Sequence, residues 1–170
     1  MEWTGARYAD GPSVEVETWI DAPPGRVWGL ITDMQLIARM SDELQEVHWL
    51  DGAEGPSLGA RFTGRNRNDA LGEWTTTSHV VEFEPERAFR WAVQDPENPM
   101  ASWRFALRPE GGGTHLSQWA QIGPARSGLS LAIEQMPDKE QKIVFVRLRD
   151  FERSLTANLA GIKQLAETTA

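Results

Sequence analysis

The sequence predicts one α+β domain with the element order β, α, α, six β, long α. Two patterns and one absence carry this. Residues 44–122 fall into short segments of strand character, set apart by turn-forming residues. Residues 139–166 instead carry apolar side chains at steps of three and four, the period of a helix with one buried face. No repeat, low-complexity tract or Pro/Gly-rich linker divides the chain, and its 170 residues suit a single core.

Val14–Ile20 opens the fold, with Val14, Val16, Thr18 and Ile20 alternating against Glu15, Glu17 and Trp19. Asp21-Ala-Pro-Pro stops this strand, and Pro24 sits where a first helical turn accepts proline. Val27, Trp28, Leu30 and Ile31 follow at helical spacing, and a second short helical piece spans Gln35 to Arg39. The strand segments are Leu44–Leu50, Ala60–Asn68, Glu73–Glu84, Ala88–Gln94, Ser102–Arg108 and Thr114–Ile122. The links between them carry Gly, Pro, Asn or Asp, as in Asn68-Asp-Ala-Leu-Gly72, and links this short favour antiparallel neighbours. Asp138, with Gln141 three residues on, gives a capping-box pattern ahead of the last helix. Its apolar stripe is Val144, Leu148, Phe151, Leu155, Leu159, Ile162 and Ala166. At 1.5 Å per residue this helix is about 42 Å long and must lie across the sheet to bury that stripe. Gly161, beside the stripe, either permits close approach to the sheet or loosens the last turns. Residues 1–13 lack a basic-then-apolar leader pattern and are expected to form a flexible segment before a domain spanning 14–170.

Composition narrows the function. With 17 Lys+Arg against 25 Asp+Glu the formal charge is −8, which argues against nucleic acid and anionic membranes as partners. No apolar run approaches the roughly 18 residues of a membrane span, and with no leader the expected location is cytoplasmic. The absence of cysteine excludes disulfides, thiolate nucleophiles and cysteine metal sites. His48, His79 and His115 lie at no metal-binding spacing, so neither a metal nor a cofactor is expected. Eight Trp against one Tyr is unusual, and side chains so large either fill a bulky core or line a cavity.

Several stretches, taken in order, resemble the START/Bet v 1-like (SRPBCC) superfamily, specifically bacterial polyketide cyclase/dehydrase-type proteins. They include Ile20-Asp-Ala-Pro-Pro-Gly-Arg-Val-Trp28, Ile31-Thr-Asp33, Gly59-Ala-Arg-Phe62, Trp74-Thr-Thr-Thr-Ser-His-Val80, Phe89-Arg-Trp91, Trp103-Arg-Phe105, Gly112-Gly-Thr114 and Asn158-Leu-Ala-Gly-Ile-Lys163. The resemblance runs from about Val14 to Glu167. It implies a helix-grip fold, in which a curved seven-stranded antiparallel sheet wraps the long C-terminal helix, with two short helices between the first and second strands. It also implies a cavity between sheet and helix that admits apolar small molecules.

Strand alternation then selects the lining. Phe62, Gly64 and Asn66 share a face, as do Trp74, Thr76, Ser78 and Val80, although a bulge in this long strand would switch its faces partway. Phe89 and Trp91 oppose Arg90, and Trp103, Phe105 and Leu107 oppose Arg104 and Arg108. On the last strand Leu116, Gln118 and Ala120 compete with Ser117, Trp119 and Gln121. The expected ligand-binding residues are Phe62, Asn66, Trp74, Thr76, Ser78, Phe89, Trp91, Trp103, Phe105, Gln118, Met136, Leu148 and Phe151. Aromatic walls with a few amides and hydroxyls suit a small-molecule site; a solid core of the same aromatics is the alternative. The apolar segment Gly123–Pro137 reads as a lid over the cavity mouth or as a surface turn against the long helix.

Ser78 and His79 are the catalytic candidates, yet as strand neighbours they point to opposite faces and form no dyad. His79 serves as a general base only if it faces the cavity. Cyclases resembling this fold use Arg, Tyr, Ser or acidic groups inside the cavity. Here Tyr8 precedes the first strand, and Arg65, Arg67, Arg90, Arg104 and Arg108 fall opposite the aromatics. The expectation is therefore binding of a small hydrophobic or aromatic molecule, polyketide- or lipid-like. A cofactor-free cyclase/dehydratase is the alternative, and a chaperone-activator-like interaction domain a lesser one. The expected state is a monomer or weak homodimer.

Overall fold

The structure is a computed structural model describing residues 1–168; residues 169 and 170, the last two of the expected domain, lie outside the described residues. Seven strands run β1 (Ser13–Ile20), β2 (Leu44–Trp49), β3 (Arg61–Asn68), β4 (Gly72–Glu84), β5 (Ala88–Val93), β6 (Ala101–Glu110) and β7 (Gly113–Ile122). They form one sheet in the order β1-β7-β6-β5-β4-β3-β2, with every pair antiparallel. The hairpins from β2 to β7 follow from the short links, and β1 then closes onto β7 from the far end of the sequence. Gly113 makes one of these joins possible: a β-carbon there would strike the Ile20 carbonyl and the Trp19 ring, which lies over the β6–β7 turn and donates to the Glu110 carbonyl at 2.8 Å.

Two short helices fill the gap between β1 and β2. α1 (Pro24–Ile31) starts with proline in its first turn, and α2 (Met34–Met40) is capped by Asp33, whose carboxylate accepts from the Leu36 amide at 3.0 Å. α3 (Gly128–Gln135) follows β7, and after a 3-10 turn at Pro137–Lys139 comes α4 (Glu140–Thr168). All seven residues of the expected α4 stripe are buried, and Asn158 is buried with them. At the far end Arg26 Nε donates to the Ala166 carbonyl at 2.7 Å, satisfying one of the carbonyls a helix end leaves unpaired. The long helix lies against β1 and β7, and the sheet curls past it, which is the helix-grip arrangement.

Three local expectations are corrected. Gln141 does not serve a capping box; its amide donates to the Gly5 carbonyl at 2.7 Å, and the 3-10 turn leads into α4 instead. Gly161 is close not to the sheet but to α2, where a β-carbon would stand 2.9 Å from Met40 Sδ. Of the two readings of the segment after β7, the surface turn falls: residues 128–135 form an eight-residue helix. Residues 1–12 run back along α4, with the Arg7–Glu140 ion pair at 2.9 Å and Trp3 edge-on to Phe145 at 5.1 Å.

The bulge in β4 is present. Val80 pairs with Trp91 but Glu82 with Arg90, so the register slips by one residue between them. Ser78 and Val80 are thereby buried before the slip, and Phe83 packs on the same core after it. Glu82 is left on the outer face, bonded to Arg104 at 2.6 Å. On β7 the inner face is Leu116, Gln118, Ala120 and Ile122.

The core comes in two blocks. One joins α1, α2 and the C-terminal part of α4 to Phe62, Phe89, Trp91 and Phe105; the other joins Val144, Leu148, Phe151 and Leu155 to Val14, Ala120 and Ile122. An edge-to-face and tilted series Trp49–Phe62–Trp91–Phe89–Phe83–Trp28, centroids 5.1–6.1 Å apart, braces the first block.

Candidate functional site

Between the two blocks the sheet and α4 do not close, and a cavity of about 570 Å³ remains. Ile37 of α2 and Ser41, Glu43 and Leu44 after it close one side, and the other walls come from four places, each set by a local rule. The pleat of β3 and β4 turns Phe62, Asn66, Trp74, Thr76 and Ser78 inward. On β5, β6 and β7 the same alternation presents Trp91, Trp103 and Gln118. α4 contributes Arg147, Phe151, Ser154 and Asn158, at steps of four, three and four, so they lie on one face that shares Phe151 with the buried stripe. α3 covers one side with Leu129, Leu131 and Ala132, held by Tyr8, whose hydroxyl donates to the Ala125 carbonyl at 2.5 Å and lies 2.9 Å from Ser127 Oγ.

Nine of the thirteen expected ligand-binding residues line this space: Phe62, Asn66, Trp74, Thr76, Ser78, Trp91, Trp103, Gln118 and Phe151. Four do not. Phe89 and Phe105 are completely buried in the first core block, on the cavity side of their strands but sealed off by their neighbours. Leu148 lies one helical step from the cavity-facing residues and packs in the second block. Met136 ends α3 and is 39% exposed, turned away from the hollow that Leu131 and Ala132 reach. Asn66 is already engaged, its amide nitrogen donating to the Gly64 carbonyl at 3.2 Å. His79 lies opposite Arg61 on β3 and Ala92 on β5 and is absent from the cavity wall, while Ser78 beside it is in that wall.

The strand arginines take the outer face. Arg104 binds Glu82 through both Nε, at 2.6 Å, and Nη2, at 3.3 Å. That hydrogen bond holds the Glu82 carboxyl below its ordinary value and the Arg104 guanidinium above its own. Arg65 pairs with Glu46 at 3.3 Å, and Arg90 lies over the Trp119 ring, 5.0 Å from its centroid.

The sequence reading missed an ion pair in the wall and the partner of Gln118. Arg147 Nη1 and Nη2 donate to Glu43 Oε2 and Oε1 at 2.7 and 2.6 Å, with side chains only 11% and 18% exposed, and the guanidinium lies over Phe151 at 4.5 Å. The second is an amide pair, in which Asn158 Nδ2 donates to Gln118 Oε1 at 3.4 Å while Asn158 Oδ1 is buried with no partner. Asn158 had a signal: it stands seven residues after Phe151 and three after Leu155, a polar side chain at an apolar spacing. Glu43 had none, being a loop residue 104 positions from its partner. Among the described residues no three His, Asp or Glu side chains converge as metal ligands, and no helix is long and apolar enough to cross a membrane.

Comparison with known proteins places this architecture. No curated protein sequence matches it significantly. A solved polyketide cyclase-like protein, Cgl2372 from Corynebacterium glutamicum, is 28% identical with a TM-score of 0.63, over 90% of each chain. The di-domain ARO/CYC StfQ from the steffimycin biosynthetic pathway superposes with a TM-score of 0.68 at 13% identity; the match covers 91% of this chain and 50% of that one, so the chain spans half its length. Ara h 8.0201 matches at 12% identity and a TM-score of 0.50, over 81% of this chain and 97% of that one. The last two likenesses are of fold alone. Residues 11–167, which take in all seven strands and nearly all of α4, match one family model, and the chain belongs to the family described as polyketide cyclase/dehydrase and lipid transport.

Proposed function

We propose that the protein binds a small hydrophobic or aromatic molecule, polyketide- or lipid-like, in the space between sheet and α4. The observation that carries this reading is the 570 Å³ hollow walled by Phe62, Trp74, Trp91, Trp103 and Phe151. Small-molecule sites have volumes of roughly 300–1,000 Å³ with mostly apolar walls and few polar groups. The walls are braced on both sides: the aromatic series fixes Phe62 and Trp91, and Trp103 packs on Phe151 at 4.8 Å. Rigid walls lower the ordering cost of binding. The same hollow counts against the interaction-domain alternative, which calls for a filled interior.

One observation favours a second reading, a cofactor-free cyclase/dehydratase. The Arg147–Glu43 pair puts a donor and a carboxylate in the wall, the kinds of group that polarise a carbonyl and remove a proton. Ser78 is the other wall residue with an exchangeable proton from the catalytic candidates. Binding is preferred because Arg147's two terminal nitrogens are already engaged by Glu43.

Native mass spectrometry of gently purified protein tests both readings. The binding reading expects a retained small molecule, lost or weakened in Trp103→Ala. A bare chain that also takes up no added aromatic compound would refute it. A polyketide-like chain bearing 1,3-diketones, incubated with the protein, is expected to be recovered unchanged; recovery lighter by one water, abolished in Glu43→Gln, would establish the cyclase/dehydratase reading instead.

A further inference from the structure

Only two charged side chains, Glu43 and Arg147, reach the described cavity wall, and each neutralises the other through two hydrogen bonds of 2.6 and 2.7 Å. No free cation is left there to receive a carboxylate. The polar demand of the cavity lies instead at Gln118 and Asn158. Asn158, on α4, is 6% exposed, and Gln118, on β7, is 1% exposed. They share one long hydrogen bond, from Asn158 Nδ2 to Gln118 Oε1 at 3.4 Å. That leaves Asn158 Oδ1 buried and unpartnered, and no hydrogen bond is made by Gln118 Nε2. Turning both amides over exchanges the atoms but not the result: one carbonyl oxygen and one N–H stay unpaired side by side. A buried polar atom without a partner costs about 1–3 kcal/mol, which a matching ligand group recovers.

We infer that Gln118 and Asn158 form a subsite for a neutral hydroxyl group on an aromatic or apolar ligand, with the carbonyl oxygen accepting the ligand O–H and the amide donating to the ligand oxygen. This rests on the cavity being the binding site and narrows what it takes: hydroxylated neutral ring compounds are favoured over fatty acids and other carboxylates. A carboxylate offers no proton to the unpaired oxygen. It also meets an arginine whose charge Glu43 already neutralises, and the like charge of Glu43 itself.

Three probes built on one ring system test this: naphthalene, 2-naphthol and 2-naphthoate, titrated at pH 7 and followed by NMR. The expected order places 2-naphthol roughly tenfold tighter than naphthalene, the worth of one recovered hydrogen bond, with 2-naphthoate weaker than 2-naphthol. In Asn158→Leu the 2-naphthol advantage disappears while naphthalene binding persists. Equal affinity for naphthalene and 2-naphthol in the unmodified protein overturns the subsite and leaves the cavity reading standing. Tightest binding of 2-naphthoate overturns it as well. Failure of all three probes to bind overturns both the subsite and the cavity reading. The comparison in the unmodified protein decides the matter even if the variant does not fold.

Discussion

Glu82 and Arg104 meet across the outer face of the sheet, about one-third exposed, and the hydrogen bond between them holds the Glu82 carboxyl below its ordinary value of 4.5. Because the folded pKa lies below the unfolded one, this stabilisation is complete above the unfolded value and is lost as pH falls through the depressed folded value. Arg104, shifted upward, stays charged throughout and adds no pH dependence in the working range. Glu82→Gln is expected to lower stability by roughly 0.5–1 kcal/mol at pH 7, a figure reduced for solvent screening. Urea unfolding at pH 7 and pH 3 checks this; the difference between the two chains should shrink at the lower pH, and an undiminished difference there would remove the ion pair as the cause. At this scale alternation along strands was informative. It put Arg104 opposite the aromatics, because a pleated strand has only two faces, and left the side taken by His79 open. It gave no access to Arg147 and Glu43, whose meeting depends on how α4 crosses the sheet edge. Nor did it tell which inner-facing aromatics reach the cavity: Phe89 and Trp91 both face inward two residues apart, yet only Trp91 meets the hollow.

Among the elements, α3 is held least. None of its residues is buried, and Leu131 is exposed even though it lines the cavity. Its anchors are the bond from the Ser127 amide to Ser130 Oγ at 2.7 Å, Leu129 and Ile133 on the second core block, and the Tyr8 hydroxyl. Regions with so few buried apolar contacts open locally at lower free energy than the core. Hydrogen exchange is therefore expected to proceed faster at α3 amides than at the central amides of α4, by two or more orders of magnitude, and to slow when a ligand fills the cavity. Equal protection in the two helices would contradict this. The apolar character of residues 129–136 marked an element that covers something, and its outcome is a helix because Ser127 and Ser130 cap its start. The bulge in β4 was legible as a possibility, since the strand read as Glu73–Glu84 is long and mixed on both faces; only the pairing of Val80 and Glu82 fixes its place.

For the whole molecule, the order of elements followed from periodicity alone, whereas the helix-grip arrangement and the hollow came with the family resemblance. The physical reason is that a cavity is a failure of two surfaces to meet. No local pattern encodes that, because the same aromatics would serve a closed core equally well. Here the core falls into two blocks, and α4, which contributes to both, shows Arg147, Ser154 and Asn158 to the hollow.

That division makes Ser154 the most direct handle on the central claim. It is half-buried on α4 and lines the cavity, so Ser154→Trp inserts a ring into the hollow without disturbing the buried stripe. Backbone and indole NMR shifts under titration with naphthalene read the outcome. Shifts confined to wall residues such as Ala101, Trp103 and Gln118, and lost in Ser154→Trp, are the predicted result. Shifts on the Glu82–Arg104 face, or undiminished binding by the filled variant, would show that the guest sits elsewhere.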